Sequence, residues 1–119
     1  MKYLIITLGM FLSLNVQAQE RKIDKKNVET TLEVKGVCKM CKDRIESAAL
    51  RTSGVKLAEW NKETKQLKLV YNSKKTSEEE IQKAVAMKGH ASEGMPKDTA
   101  AYQKLPDCCR YADGAKCNN

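Results

Sequence analysis

The sequence predicts an α+β fold of order β-α-β-β-α-β, with a four-stranded antiparallel sheet carrying two helices on one face. Three observations predict it. Residues 28–34 alternate between apolar and polar side chains, as a half-buried strand does. Two short apolar runs, 55–61 and 66–71, are joined by a polar connection, which is the pattern of a hairpin. Two stretches with apolar residues at helical spacing complete the order, the second opened by a capping box.

Residues 1–18 stand apart from this scheme. Lys2 precedes a mostly apolar run that includes Leu4, Ile5, Ile6, Leu8, Phe11, Leu12 and Leu14, and Val16-Gln17-Ala18 offers small residues where a signal peptidase reads. The expectation is a secretory signal peptide cleaved after Ala18. The run is shorter than the roughly 20 apolar residues of a spanning helix, so no stable membrane insertion is expected after cleavage. Residues 19–27 are charged and aperiodic, a flexible leader.

In residues 28–34, Val28, Thr30, Leu32 and Val34 share one face. A short loop then carries Cys38 and Cys41. From 40 to 52 the apolar positions Cys41, Ile45, Ala48, Ala49 and Thr52 form a helical stripe, with Asp43 placed in the first turn to favour the helix dipole. Ser53-Gly54 stops that helix. The phase change between Val55 and Ala58 points to a bulge in the next strand. Leu67, Leu69 and Tyr71 alternate in its partner. Ser77 and Glu80 form the capping box of a second helix that runs to about Lys88, burying Ile81, Ala84 and Val85 and ending at Gly89. His90 to Glu93 supplies the last strand, and Met95-Pro96 ends the compact unit. This is the order of a ferredoxin-like sandwich. The expected organisation is a signal peptide (1–18), a leader (19–27), one domain (28–93) and a tail (94–119).

With 119 residues the chain builds one modest core. Its 22 Lys and Arg against 15 Asp and Glu are spread along the sequence, and aromatics are only 5%. Nucleic-acid binding calls for a basic face with interleaved aromatics, which this pattern does not offer. No Ser/His/Asp set, carboxylate pair or phosphate loop suggests an enzyme, and His90 is the single histidine.

The chemistry sits in Cys38-Lys39-Met40-Cys41. A strand-loop-helix junction places Cys38 in the loop and Cys41 in the first helical turn, where unpaired amides and the cations Lys39, Lys42 and Arg44 favour thiolate. Thiolates select soft ions. Two sulfurs without a closed set of four ligands serve structural zinc poorly, so Cu(I) is the better match. Two other readings stay open: a thiol-disulfide redox protein that cycles the same pair, and an interaction module with structural cysteines. Against the redox reading, no Trp precedes Cys38 and no proline-bearing redox loop is present.

Cys38-x-x-Cys41, Ile45, Ala48-Ala49, Gly54-Val55, Ala58, Leu67-x-Leu69-x-Tyr71, Ser77-x-x-Glu80-Ile81 and Gly89 together resemble the heavy-metal-associated (HMA) domain, over residues 28–93. That family includes copper chaperones, domains of copper-transporting ATPases and a periplasmic mercury-binding protein. The resemblance implies an exposed metal site at Cys38 and Cys41, with Cu(I) as cargo and Hg(II) or Zn(II) as alternatives. It also implies a metal-transporting membrane ATPase or other metal-accepting protein as partner, and the signal peptide makes the expected carrier an exported one, periplasmic or secreted. The chain departs from the family where Gly-Met-Thr usually precedes the first cysteine. Here Lys35, Gly36 and Val37 stand instead, so the buried methionine that supports the loop is absent or replaced, and Met40 lies between the thiols as an auxiliary candidate. Val37 occupies the place of an Asp found in zinc-preferring relatives. His90 replaces a common Tyr in the loop expected to face the dithiol, where some relatives use a histidine as an extra ligand.

The tail lies outside the resemblance and holds Cys108, Cys109 and Cys117. Two readings of it stand side by side. Cys117 bridges Cys108 or Cys109 by a disulfide, or the three cysteines form a second soft-metal site.

Overall fold

The computed structural model describes residues 26–114. The expected signal peptide, most of the leader and Cys117 lie outside the described residues. The elements are β1 (Asn27–Glu33), α1 (Lys39–Leu50), β2 (Val55–Trp60), β3 (Gln66–Asn72), α2 (Glu78–Ala86) and a short α3 (Thr99–Gln103). Two 3-10 turns follow, Asp107–Cys109 and Tyr111–Asp113.

The sheet has three strands in the order β1-β3-β2, both neighbours antiparallel. Its register follows the apolar pattern. Leu32 faces Leu67 across the first pair, and Trp60 faces Leu67 across the second. The expected bulge in β2 is present, as a register shift between Val55 and Leu57. The β2–β3 connection is closed by Asn61, whose side-chain oxygen accepts from the Glu63 and Thr64 amides, and by Lys65 in the left-handed region at φ 62°.

The expected fourth strand at 90–93 does not form. This stretch does run beside the end of β1, where the Lys35 amide donates to Ala91 O and the Glu93 amide to Glu33 O. Pairing is limited to a single bridge between Val34 and Ser92, because the chain turns back at once through a Ser92–Met95 bridge with Gly94 at φ 72°. A reversal two residues after His90 leaves no length for a ladder.

Helix α1 buries Cys41, Ile45, Ala48 and Ala49 against β2 and α2. Asp43 falls in its second turn and not its first, because the helix starts at Lys39. Helix α1 ends at Leu50 with Arg51 as its cap, short of the expected stop at Ser53-Gly54, and Gly54 at φ 93° lies in the turn into β2. Ser77 caps α2 by accepting from the Glu80 amide at 3.3 Å. That helix buries Ile81, Val85 and Ala86, with Ala84 half-buried. No helix among the described residues is long and apolar enough to cross a membrane.

The core does not end at Met95-Pro96. Tyr102, Leu105 and Cys109 are buried in the same cluster as Leu32, Ile45, Trp60, Leu69 and Ile81. Asp98 opens α3 by accepting from the Ala101 amide at 2.8 Å, and its own amide donates to Ala86 O at 3.0 Å. Helix α3 crosses so close to Gly89 that a Cβ there would lie 3.0 Å from the Tyr102 backbone. Beyond it, the Tyr111 hydroxyl donates to Gly89 O and accepts from the Ala91 amide, at 2.8 and 2.9 Å. The Tyr102 hydroxyl accepts from the Ala112 amide at 3.1 Å. Packing and these hydrogen bonds hold the described tail on the domain.

Candidate metal centre

Cys38 and Cys41 are positioned from the sheet. Trp60, at the end of β2, donates its indole N–H to Val34 O at 3.0 Å and fixes the chain as it leaves β1. Gly36 then passes between Trp60 and α1. A Cβ on Gly36 would meet Cys41 Cβ at 3.0 Å and the Trp60 ring at 3.1 Å. A large ring from the sheet thus lies under the loop, and Gly36 lets the chain pass close over it. Cys38 is extended, at φ −145° and ψ 173°, and its carbonyl accepts from the Lys42 amide at 3.0 Å. Cys41 lies in the first turn of α1.

The two sulfurs are 3.5 Å apart, in contact but far beyond the roughly 2.05 Å of a disulfide. They are not exposed. Cys38 and Cys41 are both 0% accessible, because the tail covers them. The 3-10 turn at Asp107–Cys109 brings the equally buried Cys109 Sγ to 3.4 Å from Cys38 Sγ. Cys41 Sγ lies 3.9 Å from the Cys109 carbonyl, and Cys108 Sγ lies 3.8 Å from both Cys109 Sγ and Met40 Sδ. Cys38, Cys108 and Cys109 place their sulfurs within 4.8 Å of one another. Of the residues singled out from sequence, the fold therefore gathers Cys38, Cys41, Met40, Cys108 and Cys109 into one sulfur-rich cluster. Two separate sites do not arise among the described residues.

Burial also changes the electrostatics expected of the helix start. It raises the Cys41 thiol above its ordinary value of 9.0, with the Val37 and Cys38 backbone groups opposing it. It raises Cys109 well above that value, and the neighbouring sulfurs of Cys38 and Cys41 add to the effect. Desolvation outweighs the helix end and the cations here. Lys42 is drawn away from the thiols by Glu46 and by Trp60 O, the latter at 3.0 Å. Arg44 reaches a sulfur, with Nη1 3.2 Å from Cys109 Sγ. Sequence reasoning counted Arg44 only as local charge, because its sulfur partner is 65 residues away.

His90 is fully buried and its Nδ1 lies 2.8 Å from Lys35 O. That carbonyl can only accept, so Nδ1 carries the proton and Nε2 the lone pair. Nε2 is buried without a hydrogen-bond partner among the described residues. Burial holds the ring below its ordinary pKa of 6.5; the Lys35 carbonyl opposes this and Arg44 adds to it. The ring stacks on Tyr111 at 5.5 Å between centroids and stands outside the three-sulfur group. His90 thus braces the backbone before Cys38. Tyr102 and Tyr111, which anchor the tail, carry no assignment in the sequence reading; the signal available was two tyrosines flanking Leu105 in an otherwise polar stretch.

No family model matches the sequence, and no curated protein matches it significantly. Solved structures do match. A CopZ metallochaperone is 29% identical with a TM-score of 0.53, over 55% of this chain and 98% of that one. Oxidised MerP from Ralstonia metallidurans CH34 is 30% identical with a TM-score of 0.53, over 56% of this chain and 93% of that one. The N-terminal domain of a potential copper-translocating P-type ATPase from Bacillus subtilis, solved in the Cu(I)-loaded state, is 25% identical with a TM-score of 0.53, over 56% and 84%.

Proposed function

The chain belongs to the heavy-metal-associated domain family, and from that premise we propose that it is an exported, non-enzymatic carrier of a soft metal ion, Cu(I) first, held by Cys38 and Cys41. The observation that carries this reading is the pair of sulfurs in contact at the strand-loop-helix junction, 3.5 Å apart, on the fold of a metallochaperone. Thiolate pairs favour soft monovalent ions over hard ones. Val37 before Cys38, where zinc-preferring relatives carry an Asp, favours Cu(I) over Zn(II); Hg(II) shares the same preference for sulfur.

Release proceeds by ligand exchange. A thiolate of the acceptor bonds to the ion as Cys38 or Cys41 leaves it, so coordination is never lost and no electron moves. The acceptor is a protein with a similar dithiol. The likeness to a domain of a copper-translocating ATPase supports a metal-transporting membrane ATPase in that role. The signal-peptide reading of residues 1–18 supports export.

The test is a Cu(I) competition titration against a colourimetric chelator, on reduced protein with Cys108, Cys109 and Cys117 replaced by Ser. Cys38→Ser or Cys41→Ser should abolish tight binding, because one thiolate leaves the ion under-coordinated. Equal binding by the Cys38→Ser/Cys41→Ser variant and its parent overturns the carrier reading. A parent that binds no soft ion but exchanges disulfides rapidly replaces it with the redox reading.

A further inference from the structure

We propose that the tail supplies ligands: Cys108 and Cys109 combine with Cys38 in a three-thiolate site for a soft metal ion, overlapping the dithiol through the shared Cys38 sulfur. The inference rests on the soft-metal reading of the chain and extends it to two residues outside the domain that the known structures share.

Geometry is the first support. These three sulfurs lie within 4.8 Å of one another, with 3.4 Å between Cys38 and Cys109 and 3.8 Å between Cys108 and Cys109. With metal–sulfur bonds of about 2.3 Å, two sulfurs facing each other across a linear site stand about 4.6 Å apart, whereas three around a trigonal site stand about 4.0 Å apart. The Cys38–Cys109 and Cys108–Cys109 separations, 3.4 and 3.8 Å, are nearer the trigonal value. Placement is the second support. The tail is seated by Tyr102, Leu105 and Tyr111 and by the Arg110 guanidinium, whose Nη2 donates to Gln103 O at 2.8 Å. The thiols are held by a folded segment, and Cys108 remains partly exposed as a route for the ion. Charge is the third. Each thiol that binds releases its proton to solvent, so Cu(I) with three thiolates is a dianion. Arg44, 3.2 Å from Cys109 Sγ, is positioned to offset it.

Cys41 then stands beside Cys38 at 3.5 Å as the alternative ligand. An ion held by the dithiol gains Cys109 and Cys108 as Cys41 leaves, a transfer within one chain that keeps Cys38 bonded throughout. The three-thiolate arrangement includes the partly exposed Cys108, whereas both sulfurs of the two-thiolate arrangement are buried.

The test uses the reduced mature chain with Cys117→Ser, loaded with one equivalent of Cu(I). Binding is followed by competition titration and sulfur coordination by X-ray absorption. Cys41→Ser with the tail intact should still bind Cu(I), with three sulfurs in its first shell. Adding Cys108→Ser and Cys109→Ser to that variant should weaken binding well beyond the roughly 10–100-fold that loss of an outer-shell partner costs. Cys108→Ser alone, at a partly exposed position, serves as the second variant should loss of the buried Cys109 thiol loosen the tail. On the Cys41→Ser background it should lower the count from three sulfurs to two. The proposal is overturned if Cys41→Ser binds no more tightly with the tail thiols than without them, or if Cys108→Ser leaves three sulfurs in place. Neither result touches the carrier reading, which is tested where the tail thiols are already absent.

Discussion

Two segments converge on the same sulfurs, and they are held there to different degrees. The loop carrying Cys38 and Cys41 is fixed by bulk: Trp60, 2% exposed, lies beneath it, and Gly36 lets the chain pass over the ring. The tail carrying Cys108 and Cys109, one short helix and two 3-10 turns, adds only Tyr102, Leu105 and Cys109 to the buried core and is tied down by the hydroxyls of Tyr102 and Tyr111. Bulk packing ties the loop to global unfolding. A segment held by few buried apolar groups opens locally, at a lower free energy than the whole. The comparison teaches that the site has a rigid half and a half that can lift, and each variant below bears on that division.

The largest effect is expected at Trp60. Trp60→Ala removes a buried ring and orphans Val34 O, and should cost about 3–5 kcal/mol in urea unfolding of the reduced apo-protein. A cost close to zero would mean that something other than the ring supports the loop. Gly36→Ala comes next. Its Cβ would press on the Trp60 ring and on Cys41 Cβ, and about 1–3 kcal/mol of destabilisation is expected. Cu(I) affinity should fall with it, since the Cys38–Cys41 spacing would shift.

Tyr111→Phe should behave differently. It removes the hydroxyl between Gly89 O and the Ala91 amide, a loss of about 1–2 kcal/mol that is confined to the tail. Global unfolding should change little, while Cys38 and Cys41 should react faster with a thiol reagent because the cover opens more often. If global stability and thiol reactivity moved together, loop and tail would be one cooperative unit and the division would be broken.

The smallest effect is a pH dependence from His90. Its buried ring has a depressed pKa, so below about 6.5 the unfolded chain takes up a proton that the native one refuses. Stability is therefore full above about pH 6.5 and declines as the pH falls through and below it. Urea midpoints of the apo-protein at about pH 7.5 and about pH 5.5 should show that decline, reduced in His90→Phe. A midpoint that rises on acidification would contradict the buried neutral ring.

What the sequence determined by itself was local and periodic. Alternation over 28–34 and 66–71 set the strands, the phase change after Val55 set the bulge, and Ser77-x-x-Glu80 set the start of α2, because these signals act between neighbours a few residues apart. The dithiol was legible for the same reason, two thiols one helical turn apart at a strand-loop-helix junction. The fourth strand was not, since whether 90–93 pairs along β1 depends on a reversal at Ser92–Met95 that overrides a weak apolar pattern. The burial of the dithiol was illegible as well. It arises because Tyr102, Leu105 and Cys109 join a core built some 60 residues earlier, and such contacts leave no spacing to read. Once they form, burial raises thiol pKa values that the helix end and cations alone would lower, and only the tertiary structure decides which of those opposing effects is larger.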